Sequence, residues 1–346
     1  MEGRQALLRT QTVCLLILTA IAIGATLFWL SPVLVPFVLA VFFMYCLAPP
    51  IEWLSKKLNV PRPIAVTLIG ALGCLLLVVL WLIVWSSARQ MALNADMYRD
   101  QLASLADTVI NYLPLEDWGM NPEEVVSSAL TIHEDSAGAL IRGIANAILS
   151  LLSSGALVMI FLFFLLLGQS SQQQPSGMLA EIGESVQNYI NLKVIISLVT
   201  GGVQGLVLYI LGVDFAAVFG LLGFLFNFIP NFGPILAVAA PVPVILLDPE
   251  LSLAVQILAI ALPGVVHFVS GNIVEPKIMG ESLDLHPIVV LIALIFFGMV
   301  WGIVGMFLAT PITGAIRVLL SKMEPTKPIA DMMAGRLDAL SALDDP

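Results

Sequence analysis

FNFIPNFGPILAVAAPVP, residues 226–243, decides how the rest of this chain is read. Long apolar runs flank it on both sides, yet it holds Asn227, Asn231, Gly233, Pro230, Pro234, Pro241 and Pro243. In a water-soluble protein that mixture is a loop. Inside a hydrophobic run it describes a transmembrane helix that stops, exposes backbone polar groups and restarts. Pro230 and Pro234 lack the N–H that a continuing helix needs, and each clashes with the preceding turn. Unpaired backbone is tolerated at membrane depth only where it lines a cavity or is buried in protein. A helix broken at mid-membrane is the sequence feature that best locates the binding site of a secondary transporter.

Composition agrees with a membrane setting. Hydrophobic residues make up 59% of the 346 and charged ones 11%, with a mean hydropathy of +1.01. Soluble domains carry roughly 25% charged residues, so the chain reads as an all-α polytopic membrane protein of about eight transmembrane helices. The net charge of −10 sits mostly in one loop, and no basic patch offers a nucleic-acid surface. Cys14, Cys46 and Cys74 form no CxxC or Cys/His cluster and read as small core residues. His133, His267 and His286 are too scattered for a metal set, so no metal or cofactor is expected.

Residues 1–86 hold three expected spans, at 13–30, 32–48 and 64–86. Arg4 and Arg9 precede the first, which is too long for a signal peptide and has no clear cleavage site. Lys56, Lys57 and Arg62 follow the second, so the positive-inside rule places the N-terminus and this loop in the cytoplasm. Residues 87–144 are polar by comparison. Leu102, Leu105, Val109 and Leu113, then Val125, Val126, Ala129 and Leu130, predict a pair of amphipathic helices in an extracytoplasmic insert. Glu123/Glu124 and Glu134/Asp135 are ordinary surface charge there, since no nucleophile or His partners them. A fourth span is expected at 145–168.

GQSSQQQPSG, residues 168–177, is the low-complexity linker that divides the chain into two halves. Within 169–191, Leu179, Ile182, Val186 and Ile190 predict an interfacial helix leading into a fifth span at 192–211. The core at 192–320 is shorter-spanned and more interrupted, with broken helices or hairpins, and 321–346 is a cytoplasmic tail. The run 287–320 is too long for one crossing of a core that needs ~20 residues. Gly298, Gly302 and Gly305 mark where it would fold back, which keeps Arg317, Lys322 and Lys327 cytoplasmic. Asp214 precedes a run ending at Pro241 and Asp284 one ending at Pro311, the pattern an inverted repeat would leave.

Polar side chains inside spans are costly and point to function. Asn227 and Asn231, four apart around Pro230, face one cavity if the first segment is helical. With the carbonyls freed before Pro230 and Pro234 they suit a small polyhydroxylated solute or a partly dehydrated cation; the plainer reading is a cap for a kinked helix. Gln204 is an interhelical hydrogen bond or a solute contact. Glu275 and Lys277 are an interfacial ion pair or a gating and coupling pair. His267 is a satisfied helix histidine or a relay, with Asn272 beside it. No Walker lysine, zinc spacing or activated nucleophile is present, so neither an enzyme nor ATP-driven transport is indicated.

Two stretches together resemble the autoinducer-2 exporter family of PerM-type permeases. In 211–234, LGVDFAAVFGLLGFLFNFIPNFGP, the shared core falls on Ile229, Pro230, Gly233 and Pro234. In 275–311 it falls on Glu275, Pro276, Lys277, His286, Pro287, Trp301, Gly302, Gly305, Thr310 and Pro311, and Tyr189 and Lys193 also fit. The resemblance implies a homo-oligomeric permease, with pentamers known in the family. It would export a small polar solute such as autoinducer-2 across the bacterial inner membrane, by an elevator-like movement. Asn227, Pro230, Asn231, Gly233, Pro234 and Gln204 then bind solute, and Glu275, Lys277, His267 and Asn272 gate or couple. Sodium–proton antiport through Glu275 is the alternative. A membrane scaffold that works through residues 87–144 is a third.

Overall fold

Lipid offers a backbone no hydrogen bonds, so an apolar run must satisfy its N–H and C=O groups within itself. The computed structural model of the chain describes residues 2–93, 155–168, 177–279 and 283–336. Every regular element among them is helical. In chain order these are α1 (Glu2–Trp29), α2 (Ser31–Lys57), α3 (Arg62–Leu93), α4 (Gly155–Gly168), α5 (Met178–Ile210), α6 (Ala216–Phe226), α7 (Phe232–Ala239), α8 (Val242–Leu247) and α9 (Leu253–Val269). A π-turn (Ser270–Val274), α10 (Glu275–Met279), α11 (Pro287–Ser321) and α12 (Lys327–Met333) follow. Five helical stretches among the described residues are long and apolar enough to cross a membrane: Ser31–Lys57, Arg62–Ser87, Ile182–Ile210, Leu253–Met279 and Pro287–Ser321. The remaining apolar helices are shorter. The expected insert lies outside the described residues beyond Leu93, as do 145–154 of the expected fourth span and 169–176 of the linker.

The chain divides into two units. One joins Met1–Pro50, Ser153–Asn191 and Glu281–Pro346; the other joins Ile51–Leu152 and Leu192–Gly280. Each unit draws on both sides of the linker. The interfacial helix and fifth span are not separate elements. No proline interrupts them, and they form the single 33-residue helix α5.

In the second unit α5 crosses α6 at backbone contact. A Cβ on Gly220 would lie 2.9 Å from both Gly201 O and Gly205 Cα. Small residues permit this approach in lipid, where packing rather than water drives helix association. Leu208, Val213, Ala216, Phe219, Ile245 and Ala259 close the core around the crossing. Gly220→Ala should lower stability by about 1–3 kcal/mol through overpacking. The readout is the thermal-unfolding midpoint of detergent-solubilised protein. Gly202→Ala, whose Cβ would meet nothing within 4 Å, should not lower that midpoint, since Ala is the better helix former.

The stretch at 226–243 turns out to be a hairpin rather than a helix that breaks and continues. Its first arm, the 11-residue α6, reaches only ~16 Å at 1.5 Å per residue, against a hydrocarbon core of ~30 Å. Gly233 then packs against the carbonyl of Phe226, and Ala216 and Phe219 share a core with Ile245. The arms thus run antiparallel. The turn is closed by Ile229 N–H donating to Phe226 O (2.8 Å) and Gly233 N–H to Ile229 O (2.9 Å). Asn231 takes the strained left-handed φ of 62°, and Pro234 falls in the first turn of α7, where its missing N–H costs nothing.

In the first unit α11 folds back in the same manner. Gly302 has φ 64° and ψ −145°, a region close to glycine-exclusive. Gly305 packs against the carbonyl of Phe297, whereas residues eight apart in a straight helix are ~12 Å apart. Arg317 pairs with Asp284 farther down the arms, so this too is an antiparallel hairpin. The tail is folded through Arg336: His286 N–H donates to Met333 O (2.8 Å), and Arg336 reaches Asp284 at 2.7 Å. At the tip, Trp301 Nε1 donates to Leu27 O of α1 (3.0 Å).

Candidate functional site

One face of α5 carries Lys193, Ser197, Thr200 and Gln204, a spacing that stacks residues into one stripe along a helix. All four are buried, from 4% exposed to none, and in lipid each needs a partner. The partners come from α9, the π-turn, the start of α10 and the first hairpin. Lys193 Nζ meets Glu275 Oε1 at 2.5 Å. Asn227 Nδ2 donates to Ser197 Oγ at 2.9 Å and to Glu275 Oε1 at 3.3 Å. Thr200 Oγ1 lies 2.7 Å from Ser270 Oγ. Because the Thr200 hydroxyl donates to Ile196 O, Ser270 is the donor in that pair. Gln204 Nε2 donates to Ala237 O (3.0 Å), and its Oε1 lies 2.7 Å from His267 Nε2.

The result is a polar ladder between two antiparallel helices, and the π-turn keeps it in register. In an α-helix residues five apart point about 140° apart, so Ser270 and Glu275 could not both face α5. The wider π-turn from Ser270 to Val274 rotates Glu275 back onto that face. Such turns recur at functional sites for this reason.

The hairpin tip leaves a cavity of about 640 Å³ beside the ladder, within the ~300–1,000 Å³ range of small-molecule sites. Asn227, Pro230, Asn231, Pro234, His267, Asn272 and Glu275 all line it, so seven of the residues singled out in the sequence meet at one place. Gly233 is buried behind the tip, where its lack of a side chain lets the arms touch. Gln204 is fully buried outside the lining, in contact with His267. Lys277 is exposed and apart from the lining. The cation beside Glu275 is Lys193 rather than Lys277, because the π-turn and α5 bring residues 82 apart together. Sequence reasoning on burial and spacing did not find Lys193, Ser197, Thr200 or Ser270. The polar stripe on α5 was the available signal.

Lys193 and Glu275 are the charged side chains that line the cavity. Paired with one another, they leave it electrically balanced. What remains is hydrogen-bonding capacity: the side chain of Asn231, which is exposed, the second carboxylate oxygen of Glu275, and the imidazole of His267. No group of His, Cys, Asp or Glu among the described residues could hold a metal ion.

Comparison with known proteins covers nearly the whole chain. Residues 15–324 match the model described as AI-2E family transporter. The AI-2 transport protein TqsA of Escherichia coli is 30% identical over 315 residues, 88% of this chain and 90% of that one. YrrI of Bacillus subtilis is 26% identical over 338 residues, 89% and 94% of the two chains. YhhT of Escherichia coli is 29% identical over 310, 86% of each.

Proposed function

The chain belongs to the AI-2E family of transporters, and from that premise we propose that it exports a small, polar, uncharged solute through the cavity at the tip of the first hairpin. The observation that carries this reading is the balanced wall: the cavity's carboxylate is already matched by the Lys193 ammonium at 2.5 Å. A cation entering the site meets no net negative charge, whereas a neutral solute meets amides, an imidazole and a spare carboxylate oxygen. Among the described residues, sodium–proton antiport lacks the unpaired buried carboxylate it would need. The name of the relative TqsA makes autoinducer-2 the first solute to try. The setting we propose is the bacterial inner membrane, with cytoplasmic termini, a homo-oligomeric assembly and an elevator-like movement of the hairpin.

The test is efflux of labelled autoinducer-2 from proteoliposomes, set beside sodium flux read with an internal pH dye. Asn231 lines the cavity from an exposed turn position with positive φ, so Asn231→Gly, which tolerates that φ, should leave assembly intact. Losing one neutral hydrogen bond, worth ~0.5–1.5 kcal/mol, should weaken apparent solute affinity roughly three- to tenfold. Unchanged affinity removes Asn231 from the site. Gradient-linked sodium flux without solute flux would replace this reading with antiport.

A further inference from the structure

The ladder fixes more than position at its last rung. Gln204 has one amide, and its Nε2 is committed to donating to Ala237 O. Its Oε1 therefore faces His267 as an acceptor, at 2.7 Å from Nε2. A ring nitrogen facing an acceptor must carry the proton. In a neutral imidazole the other nitrogen is then a bare lone pair, able to accept and unable to donate. That nitrogen, Nδ1, is buried and has no hydrogen-bond partner among the described residues. The residue is 2% exposed and its ring lines the cavity, while Nδ1 itself is closed off in this state, so a solute reaches it only as the wall yields. A buried acceptor left unpaired is costly, and in a native structure it calls for an explanation such as a ligand.

We propose that His267 is the specificity-determining acceptor of the site, with Gln204 as the positioning residue that holds it in the Nε2–H tautomer. The cavity then selects solutes that present a hydroxyl or N–H donor to Nδ1, and it discriminates against isosteres whose hydroxyls are capped as ethers. A site built to hydrogen-bond a solute OH rejects the analogue lacking it far more strongly than an apolar pocket rejects a missing methylene. This inference rests on the solute-cavity reading above and adds the identity of the selecting atom.

The experiment is ¹⁵N NMR of histidine-labelled, full-length protein in lipid nanodiscs. The His267 signals are identified by their loss in His267→Gln, whose side-chain amide can still donate to Gln204. The expected spectrum shows protonated Nε2 and bare Nδ1, and Gln204→Met should convert it to a mixture of tautomers. Erythritol should move the Nδ1 resonance upfield, as hydrogen-bond donation to a bare ring nitrogen does, while its tetra-O-methyl ether should not. A protonated Nδ1 in the unaltered protein, or an Nδ1 moved equally by both probes, overturns the proposal. So does an Nδ1 that erythritol leaves in place. In that last case the side-chain amides of Asn227 and Asn231 separate two failures. If they respond, the cavity still binds solute and only the role of His267 falls; if they are silent, the solute-cavity reading falls with it.

Discussion

Lys193→Met should destabilise the protein by about 3 kcal/mol and abolish solute flux. Removing one member of a buried ion pair strands the other, at a cost of ~3–5 kcal/mol. The low end applies because Glu275 keeps 22% of its side chain exposed, against 5% for Lys193. Lys193→Met combined with Glu275→Gln removes both charges and keeps an acceptor for the amide of Asn227. Stability should then recover most of the loss, since exchanging a buried pair for uncharged groups is often close to neutral. Flux should stay low, because the spare carboxylate oxygen has gone from the cavity wall. Chemical denaturation of detergent-solubilised protein reads the first quantity and proteoliposome efflux the second. A single variant no less stable than the double one would show that the pair is not coupled.

Gly305→Ala carries the second large effect. The new Cβ would fall on the carbonyl of Phe297, with the Trp301 Cβ only 2.9 Å away. Backbone cannot yield as a flexible side chain can, so the arms of α11 must part. A cost of about 3 kcal/mol, the upper end of overpacking, is expected. Gly302→Ala acts on the same hairpin through strain instead of contact, since nothing lies within 4 Å of its Cβ but its φ is +64°. That strain is worth ~1–3 kcal/mol. The two substitutions share one turn, so their effects should not add. Trp301 sits beside the turn, and in a background with the other five tryptophans replaced by Phe its fluorescence gives a local reading to set against global unfolding. An unshifted midpoint in Gly305→Ala would mean that the arms do not touch as described.

The fold class was legible because apolar length and charge scarcity need no tertiary knowledge. The tip of the first hairpin was legible for a related reason: Asn227, Pro230, Asn231 and Pro234 announce broken backbone locally. Whether the chain then continues across or turns back depends on Gly233 meeting Phe226, a contact that periodicity does not encode. The pairing of Glu275 was misassigned to Lys277 for want of the same information. Two residues apart looks like proximity, while the true partner lies 82 positions away on another helix. The π-turn deepens that failure, because helical phase carried through 270–274 points Glu275 the wrong way. The stripe of Lys193, Ser197, Thr200 and Gln204 was readable in principle, being strictly periodic within an apolar run. It was overshadowed by the prolines.

The order in which the ribosome delivers Asp284 and its two arginines has a consequence for biogenesis. Asp284 emerges first, Arg317 follows 33 residues later, and Arg336 follows 52 residues after Asp284. At ~5–20 residues per second, roughly 3–10 s separate the carboxylate from its second arginine. Only over the last 15 of those residues, roughly 1–3 s, does the second hairpin have both arms but an unfinished root. Nascent chains stalled short of Arg336 hold that root through Arg317 alone.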